Sequence, residues 1–213
     1  MDLERNAEKN KEFFDGKTDG YDNVHSKYME TKKELTTNLP SDARNILDLG
    51  AGTGLELIEL FRMYPDAKVT ALDISQKMLD KIKERDFADR VNIVCGDFFK
   101  TDFGSGYDAV ISTSALHHFP KSDKVTLYKK VFDCLKDGGV FINSDKIVHT
   151  SDEEIEQLRL YEEFIDSEKY PHIDTPLTVE HEKESLEESG FTDISVSDTD
   201  QDDYRLFKAY KRN

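Results

Sequence analysis

The chain has 213 residues, 45 acidic against 29 basic side chains and a formal net charge of −16, which suits one α/β domain rather than two large ones. That charge argues against a nucleic-acid or anionic-membrane partner, since both need clustered Lys and Arg, and it favours a small-molecule ligand. No stretch approaches the roughly 20 apolar residues of a membrane span, residues 1–10 carry no apolar signal core, and Cys95 and Cys134 have neither metal nor disulfide spacing, so the expectation is a cytoplasmic protein with two reduced core thiols.

Residues 1–43 read as a polar helical preface. Asn45–Leu49 is then an apolar strand pattern that breaks into Gly50, Gly52 and Gly54 before the helical pattern Leu55–Tyr64. Lys68–Ile74 is a second strand, and Ser75–Arg85 a helix with Met78, Leu79 and Ile82 on one face. Val91–Cys95 and Tyr107–Thr113 are the third and fourth strands, Ser122–Lys136 is a helix closed by Gly138 and Gly139, and Val140–Val148 is a fifth strand. This alternation predicts right-handed crossovers and a parallel sheet with helices on both faces, its ligands lying beyond the carboxyl ends of the strands.

The last third changes character. Ser151–Glu154 reads as a capping box opening an acidic helix whose apolar residues Ile155, Leu158, Tyr161, Phe164 and Ile165 predict one packed face. Thr178–Ser189 is a further helix ended by Gly190, and Phe191–Ser197 and Asp203–Tyr210 are terminal strands. Residues 1–213 are expected to form a single domain in which the cap 1–43 and an insertion at 149–177 have no place in the sheet sandwich and serve as lid elements over the strand ends.

The most informative stretch is Asp48-Leu49-Gly50-Ala51-Gly52-Thr53-Gly54. Glycines at alternate positions let the backbone turn sharply from strand to helix, so that a nucleotide-like ligand can lie against main chain at a helix N-terminus. A dinucleotide fingerprint needs its third glycine where this chain has Leu55, which counts against a nicotinamide-dependent oxidoreductase. Asp48, two residues before the first glycine, suits a cationic or amine-bearing ligand and not a pyrophosphate.

Over nearly its whole length the chain resembles the class I S-adenosylmethionine-dependent methyltransferases of the small-molecule type. Ile46–Gly54 is similar to their first motif, Ala71–Ser75 to the acidic end of their second strand, Cys95–Phe99 to their adenine-binding turn, Tyr107–Phe119 to their fourth strand and its loop, and Leu135–Ile142 and Leu186–Phe191 to later turns. The resemblance implies a Rossmann-like, doubly wound, mostly parallel seven-stranded sheet of order 3-2-1-4-5-7-6 whose last strand is antiparallel. It implies S-adenosyl-L-methionine as cofactor, with Gly50, Ala51, Gly52 and Gly54 shaping the loop, Asp48 facing the methionine end, Asp73 and Ile74 at the ribose, Gly96, Asp97 and Phe98 at the adenine, and Tyr21 over the methionine end. A small-molecule acceptor methylated at oxygen, nitrogen or carbon follows, with no nucleic-acid or membrane partner and a homodimer as an expectation. A non-catalytic S-adenosylmethionine-binding sensor or partner subunit is the alternative from another class.

Methyl transfer from a sulfonium is an in-line displacement in which the protein chiefly aligns the nucleophile and excludes water. Where the nucleophile must lose a proton, His117 and His118 are placed to act as base, with nothing in the sequence to rank them. Asp145, His149, His172, Asp174 and His181 form a dispersed set of oxygen and nitrogen donors around the lid, without the spacing of a metal motif, and no metal is assigned to them.

Overall fold

The computed structural model describes residues 3–25, 29–165, 167 and 172–212. Three preface helices, α1 (Leu3–Asp15), α2 (Tyr21–His25) and α3 (Met29–Thr37), lead into β1 (Asn45–Leu49), α4 (Leu55–Met63), β2 (Lys68–Asp73), α5 (Gln76–Ile82), β3 (Val91–Cys95) and β4 (Tyr107–Thr113). The chain continues through α6 (Lys121–Cys134), β5 (Leu135–Lys146), α7 (Ser151–Phe164), α8 (Val179–Glu188), β6 (Thr192–Asp198) and β7 (Tyr204–Tyr210). The sheet order is β3-β2-β1-β4-β5-β7-β6, with β7 antiparallel to both neighbours and the first five strands parallel, as the resemblance implied.

The central strands are apolar at nearly every position because helices cover both faces of the sheet. In β1, Ile46 joins one core with Leu35 and Leu39 of the preface, Leu57 and Leu60 of α4 and Leu79 and Ile82 of α5. Its neighbours Leu47 and Leu49 point the other way, into a core with Leu127, Tyr128 and Val131 of α6, Leu186 of α8, Phe141 and Phe207. Each such Leu or Ile stabilises the fold by roughly 1.5–3 kcal/mol on burial. A buried ion pair crosses the second core: Lys124 of α6 lies 2.6 Å from Glu182 of α8, whose other oxygen accepts from the Tyr128 hydroxyl. Removing one member of such a pair strands the other charge at a cost of about 3–5 kcal/mol, so this network fixes how α6 and α8 pack.

Local chemistry sets the boundaries and moves several of them. Ser75 caps α5 by accepting from Met78 N, and Thr178 caps α8 by accepting from His181 N. The capping box of α7 is Thr150 with Glu153, one residue earlier than Ser151–Glu154, because the residue with extended backbone is Thr150. Helix α6 stops at Cys134, and Gly138 and Gly139 lie within β5 instead of closing the helix, Gly138 N donating to Lys211 O. The packed face expected of α7 reduces to Tyr161: Ile155 and Leu158 are exposed, and Phe164 and Ile165 only half-buried. Cys95 is exposed rather than core, since its strand is at the sheet edge, whereas Cys134 is buried and its thiol is pushed up to about 12 by that burial. No helix among the described residues is long and apolar enough to cross a membrane. Of the insertion at 149–177, positions 166 and 168–171 lie outside the described residues, as do 1, 2 and 26–28 of the preface.

Candidate active site

The carboxyl ends of β1 to β4 open onto one cleft of ≈ 690 Å³, its mouth included. Gly50 and Gly52 line it from the loop after β1, Asp73 and Ile74 from the end of β2, Gly96, Asp97, Phe98 and Phe99 from the turn after β3, and Thr113, Ser114, Ala115, His118 and Phe119 from the segment after β4. Ala7, Asn10 and Phe14 of α1, Tyr21 of α2 and Met78 of α5 complete the lining.

Gly50 has φ +78°, and a Cβ there would sit 2.3 Å from Ala115 Cβ, so both backbone shape and space demand glycine. At Gly96 the φ is ordinary but a Cβ would lie 2.2 Å from Thr101 Oγ1. Asp73 staples β2 to the glycine loop: Oδ2 accepts from Gly52 N at 2.9 Å and Oδ1 from Ser75 N at 2.8 Å. Burial pushes its carboxyl up to about 6, against the pull of those N–H groups.

Among the described residues three carboxylates, Asp48, Asp97 and Asp123, have buried oxygens with unmet acceptor capacity, and of these only Asp97 lines the cleft. Asp97 Oδ1 accepts from Phe99 N at 2.8 Å, while Oδ2 has no partner among those residues. Asp48 has only the Glu56 carboxyl beside it. Burial, and then the neighbouring Glu56 carboxylate, push the Asp48 carboxyl well above the usual range, with Lys32, paired to Glu56 at 2.7 Å, working against them. An unsatisfied buried acceptor costs free energy unless a water or a ligand donates to it, so Asp97 Oδ2 at the cleft is a seat for a donor group.

Tyr21 reaches the cleft from a short helix pinned to the glycine loop: Asp22 accepts from Thr53 Oγ1 at 2.6 Å and pairs with Arg85 at 2.6 Å. Burial and the Glu56 and Asp73 charges raise the Tyr21 hydroxyl. Lys130 secures the turn after β3 by donating to the carbonyls of Phe98 and Thr101.

The two histidines occupy a 3-10 turn at Leu116–His118 and differ in placement. His118 lines the cleft; its Nδ1 is 3.1 Å from Asp174 Oδ1 and its Nε2 is buried without a partner. Burial, then its His117 neighbour, push it down to about 3, so it is a neutral imidazole. His117 lies behind it, with Nδ1 2.5 Å from Asp145 Oδ1. Although burial opposes ionisation, the Asp145 carboxyl is held below the usual range by His117, as Asp174 is held far below it by His118 and His172.

Of the residues expected at the site, Tyr21, Gly50, Gly52, Asp73, Ile74, Gly96, Asp97, Phe98 and His118 line the cleft; Asp48, Ala51, Gly54 and His117 sit behind its wall. The dispersed donor set does not gather as five. His172 and Asp174 join the histidine pair, and Asp145 holds His117, but His181 pairs with Glu154 at 2.8 Å and His149 is exposed. Asn10 and Phe14 went unforeseen because a polar helical preface carries no motif that marks the side facing a ligand. Ser114, with φ 54°, carries a left-handed backbone at the cleft wall, which a serine in sequence does not announce.

A family model described as a methyltransferase domain matches residues 46–139. The carboxy-S-adenosyl-L-methionine synthase of Nautilia profundicola is 27 % identical over 76 % of this chain and 76 % of its own length. The malonyl-[acyl-carrier protein] O-methyltransferase of Priestia megaterium is 32 % identical over 52 % of this chain, which spans 40 % of that protein. In structure, human N-acetylserotonin methyltransferase in complex with SAM superposes with a TM-score of 0.72 and 21 % identity over 94 % of this chain and 56 % of that one.

Proposed function

This chain belongs to the class I S-adenosylmethionine-dependent methyltransferases, and from that premise we propose that it methylates an oxygen, nitrogen or carbon nucleophile of a small molecule. The residues present fit the cofactor, and one observation carries this: Asp97 Oδ2 is buried with no partner among the described residues, in a cleft whose lining it shares with the glycine loop, Tyr21 and Phe98. S-adenosylmethionine supplies, when bound, a methyl group activated by its sulfonium.

The chain's own residues bind, orient and shield. Asp97 Oδ2 accepts from the adenine amino group and Phe98 covers the ring. Asp73 uses the second lone pair of each oxygen for the ribose hydroxyls, with Ile74 against the sugar and Gly96 letting the turn approach. Gly50 and Gly52 present main chain to the ligand, Ala51 and Gly54 hold the loop in shape behind them, Asp48 acts on the ammonium end from behind the wall, and Tyr21 covers that end. His118 is the one of the two histidines that reaches the cleft, so it exchanges a hydrogen bond with the acceptor through Nε2, while His117 supports it from behind. Helix α1 and segment 172–178 act as the lid that keeps water from the nucleophile: Asn6 Nδ2 donates to His118 O at 3.2 Å and Thr175 N to His117 O at 2.7 Å.

Calorimetry with S-adenosylmethionine, S-adenosylhomocysteine and NAD tests the binding half: the two sulfur ligands are expected to bind and NAD not to, and NAD binding without response to the sulfur ligands overturns the reading. A screen of small acceptors with methyl-labelled cofactor tests transfer. A second reading, favoured by the similarity to a carboxy-S-adenosyl-L-methionine synthase over three quarters of the chain, is that the cofactor itself is modified. Mass spectrometry of the cofactor pool separates the two, since transfer leaves S-adenosylhomocysteine and modification leaves a carboxylated cofactor.

A further inference from the structure

Beyond methyl transfer, the geometry points to a divalent transition-metal site formed by His117, His118, His172 and Asp174, where the insertion meets the turn after β4. Asp174 Oδ1 lies 2.9 Å from His172 Nε2, 3.1 Å from His118 Nδ1 and 3.7 Å from His117 Nε2. Ligating atoms of His117, His118 and Asp174 already lie within 4.8 Å of one another.

The protons identify what this convergence is for. His117 Nδ1 faces Asp145 Oδ1 at 2.5 Å, and Asp145 also accepts from the backbone N–H groups of Leu116 and Lys146, so Nδ1 of His117 is the donor to Asp145 and Nε2 is the nitrogen turned to Asp174. His172 Nδ1 faces Asn10 Oδ1 at 3.0 Å. That amide is oriented by Asn10 Nδ2 donating to Asn6 Oδ1, whose own Nδ2 donates to His118 O, so His172 likewise donates from Nδ1 and turns Nε2 to Asp174. Three ring nitrogens, His117 Nε2, His118 Nδ1 and His172 Nε2, therefore converge on one carboxylate oxygen, and a divalent ion would take the place of the protons they otherwise present to it. Imidazoles whose outer N–H is held by a carboxylate or amide oxygen while the inner nitrogen faces a shared point are the usual metal-binding arrangement.

Three nitrogens and one oxygen suit zinc and similar ions and not magnesium or calcium. Bonds of about 2.0–2.1 Å place tetrahedral donors about 3.4 Å apart, so the ion would draw together His117, His118 and Asp174, and His172, which lies outside their 4.8 Å cluster, would close on it as the Asp174 carboxyl turns aside. Lys146 Nζ, 3.2 Å from Asp174 Oδ2, leaves Oδ1 for the ion. Four protein ligands make a closed, structural site, which clamps the insertion to the turn bearing His118 and, through Asn10, to α1. With Nδ1 on the metal, His118 carries its hydrogen on Nε2 and donates toward the cleft.

The test is metal analysis of the full chain purified without chelator, then titration of chelator-stripped chain with Zn2+ and with Co2+, read by the visible bands of tetrahedral cobalt. One equivalent per chain is expected, weakened about 10–100-fold in Asn10→Ala, which frees an outer N–H, and lost in the double variant His172→Ala with Asp174→Asn. No saturable binding by the wild-type chain, or equal binding by the double variant, overturns the site and leaves a doubly protonated His172 paired with Asp174 and stacked 4.3 Å from Phe13. Cofactor calorimetry on the same samples reports separately on the methyltransferase reading, so a chain that binds S-adenosylmethionine but neither ion refutes the metal alone.

Discussion

The strand-end wall of the cleft, with α2 pinned to its glycine loop, and the wall made by α1 and braced by segment 172–178 face the same space, yet they are held by different contacts. The first is specified by backbone: positive φ at Gly50, main-chain N–H groups on Asp73, and a turn whose carbonyls Lys130 holds. The second is specified by side chains that meet across long stretches of sequence, as when Lys9 donates to Ser167 O and Asn10 holds His172. Backbone shape tolerates little substitution, whereas side-chain bridges can be exchanged one at a time. The invariant chemistry of the donor therefore fits the first wall, and the variable chemistry of acceptors fits the second.

Substitutions can break or sharpen this contrast. The largest effect is expected at Gly50→Val, where a β-branched residue at φ +78° would collide with Ala115: cofactor binding is lost and stability falls by at least about 1–3 kcal/mol, read by calorimetry and thermal unfolding. Retained binding would show that the strand-end wall is less rigid than its geometry demands. Asp97→Ala and Asp73→Ala should each weaken cofactor binding by about 1.5–3 kcal/mol with the fold intact; unchanged affinity removes that residue from the site.

The pH dependence also belongs to the first wall. Burial raises Asp73 from 3.8 to about 6, so the accepting carboxylate is fully formed only above that value, and cofactor affinity should fall as pH drops through about 6. Folding stability moves the other way, since a raised carboxyl contributes most below 3.8 and loses that contribution as pH rises through 6. Asp73→Asn should flatten the affinity profile; a profile unchanged in that variant assigns the titration elsewhere. Asp22→Ala, which releases α2 from Arg85 in a half-exposed pair, should cost at most about 1 kcal/mol of cofactor affinity. Phe14→Ala, on the second wall, should raise the acceptor KM while leaving cofactor affinity within about 0.5 kcal/mol, and an equal loss in both would dissolve the distinction between the walls.

The sheet was legible in sequence because each central strand is a continuous apolar run bounded by turn residues, and the strand-end wall because glycines and carboxylates at fixed offsets have few physical readings. Boundaries slipped where one residue decides them, at Thr150 against Ser151 and at Cys134 against Lys136. The apolar positions of α7 have helical period but only Tyr161 is buried, and periodicity records the pattern without the depth of burial. His117 and His118 could not be ranked because adjacent residues on a 3-10 turn point in different directions, and only tertiary placement turns His118 to the cleft and His117 to Asp145. Asn10 and Phe14 were illegible because their meaning depends on residues more than a hundred positions away.

Those separations also order events in time. Lys9 meets Ser167 and Asn10 meets His172 across 158 and 162 positions, while the glycine loop, Asp73 and Asp97 need nothing beyond the first four strands for their contacts to one another. On a ribosome, the donor's seat can therefore be complete while α1, which precedes every strand, still waits for its distant partner, and the roof of the cleft closes only as residues beyond 167 leave the exit tunnel.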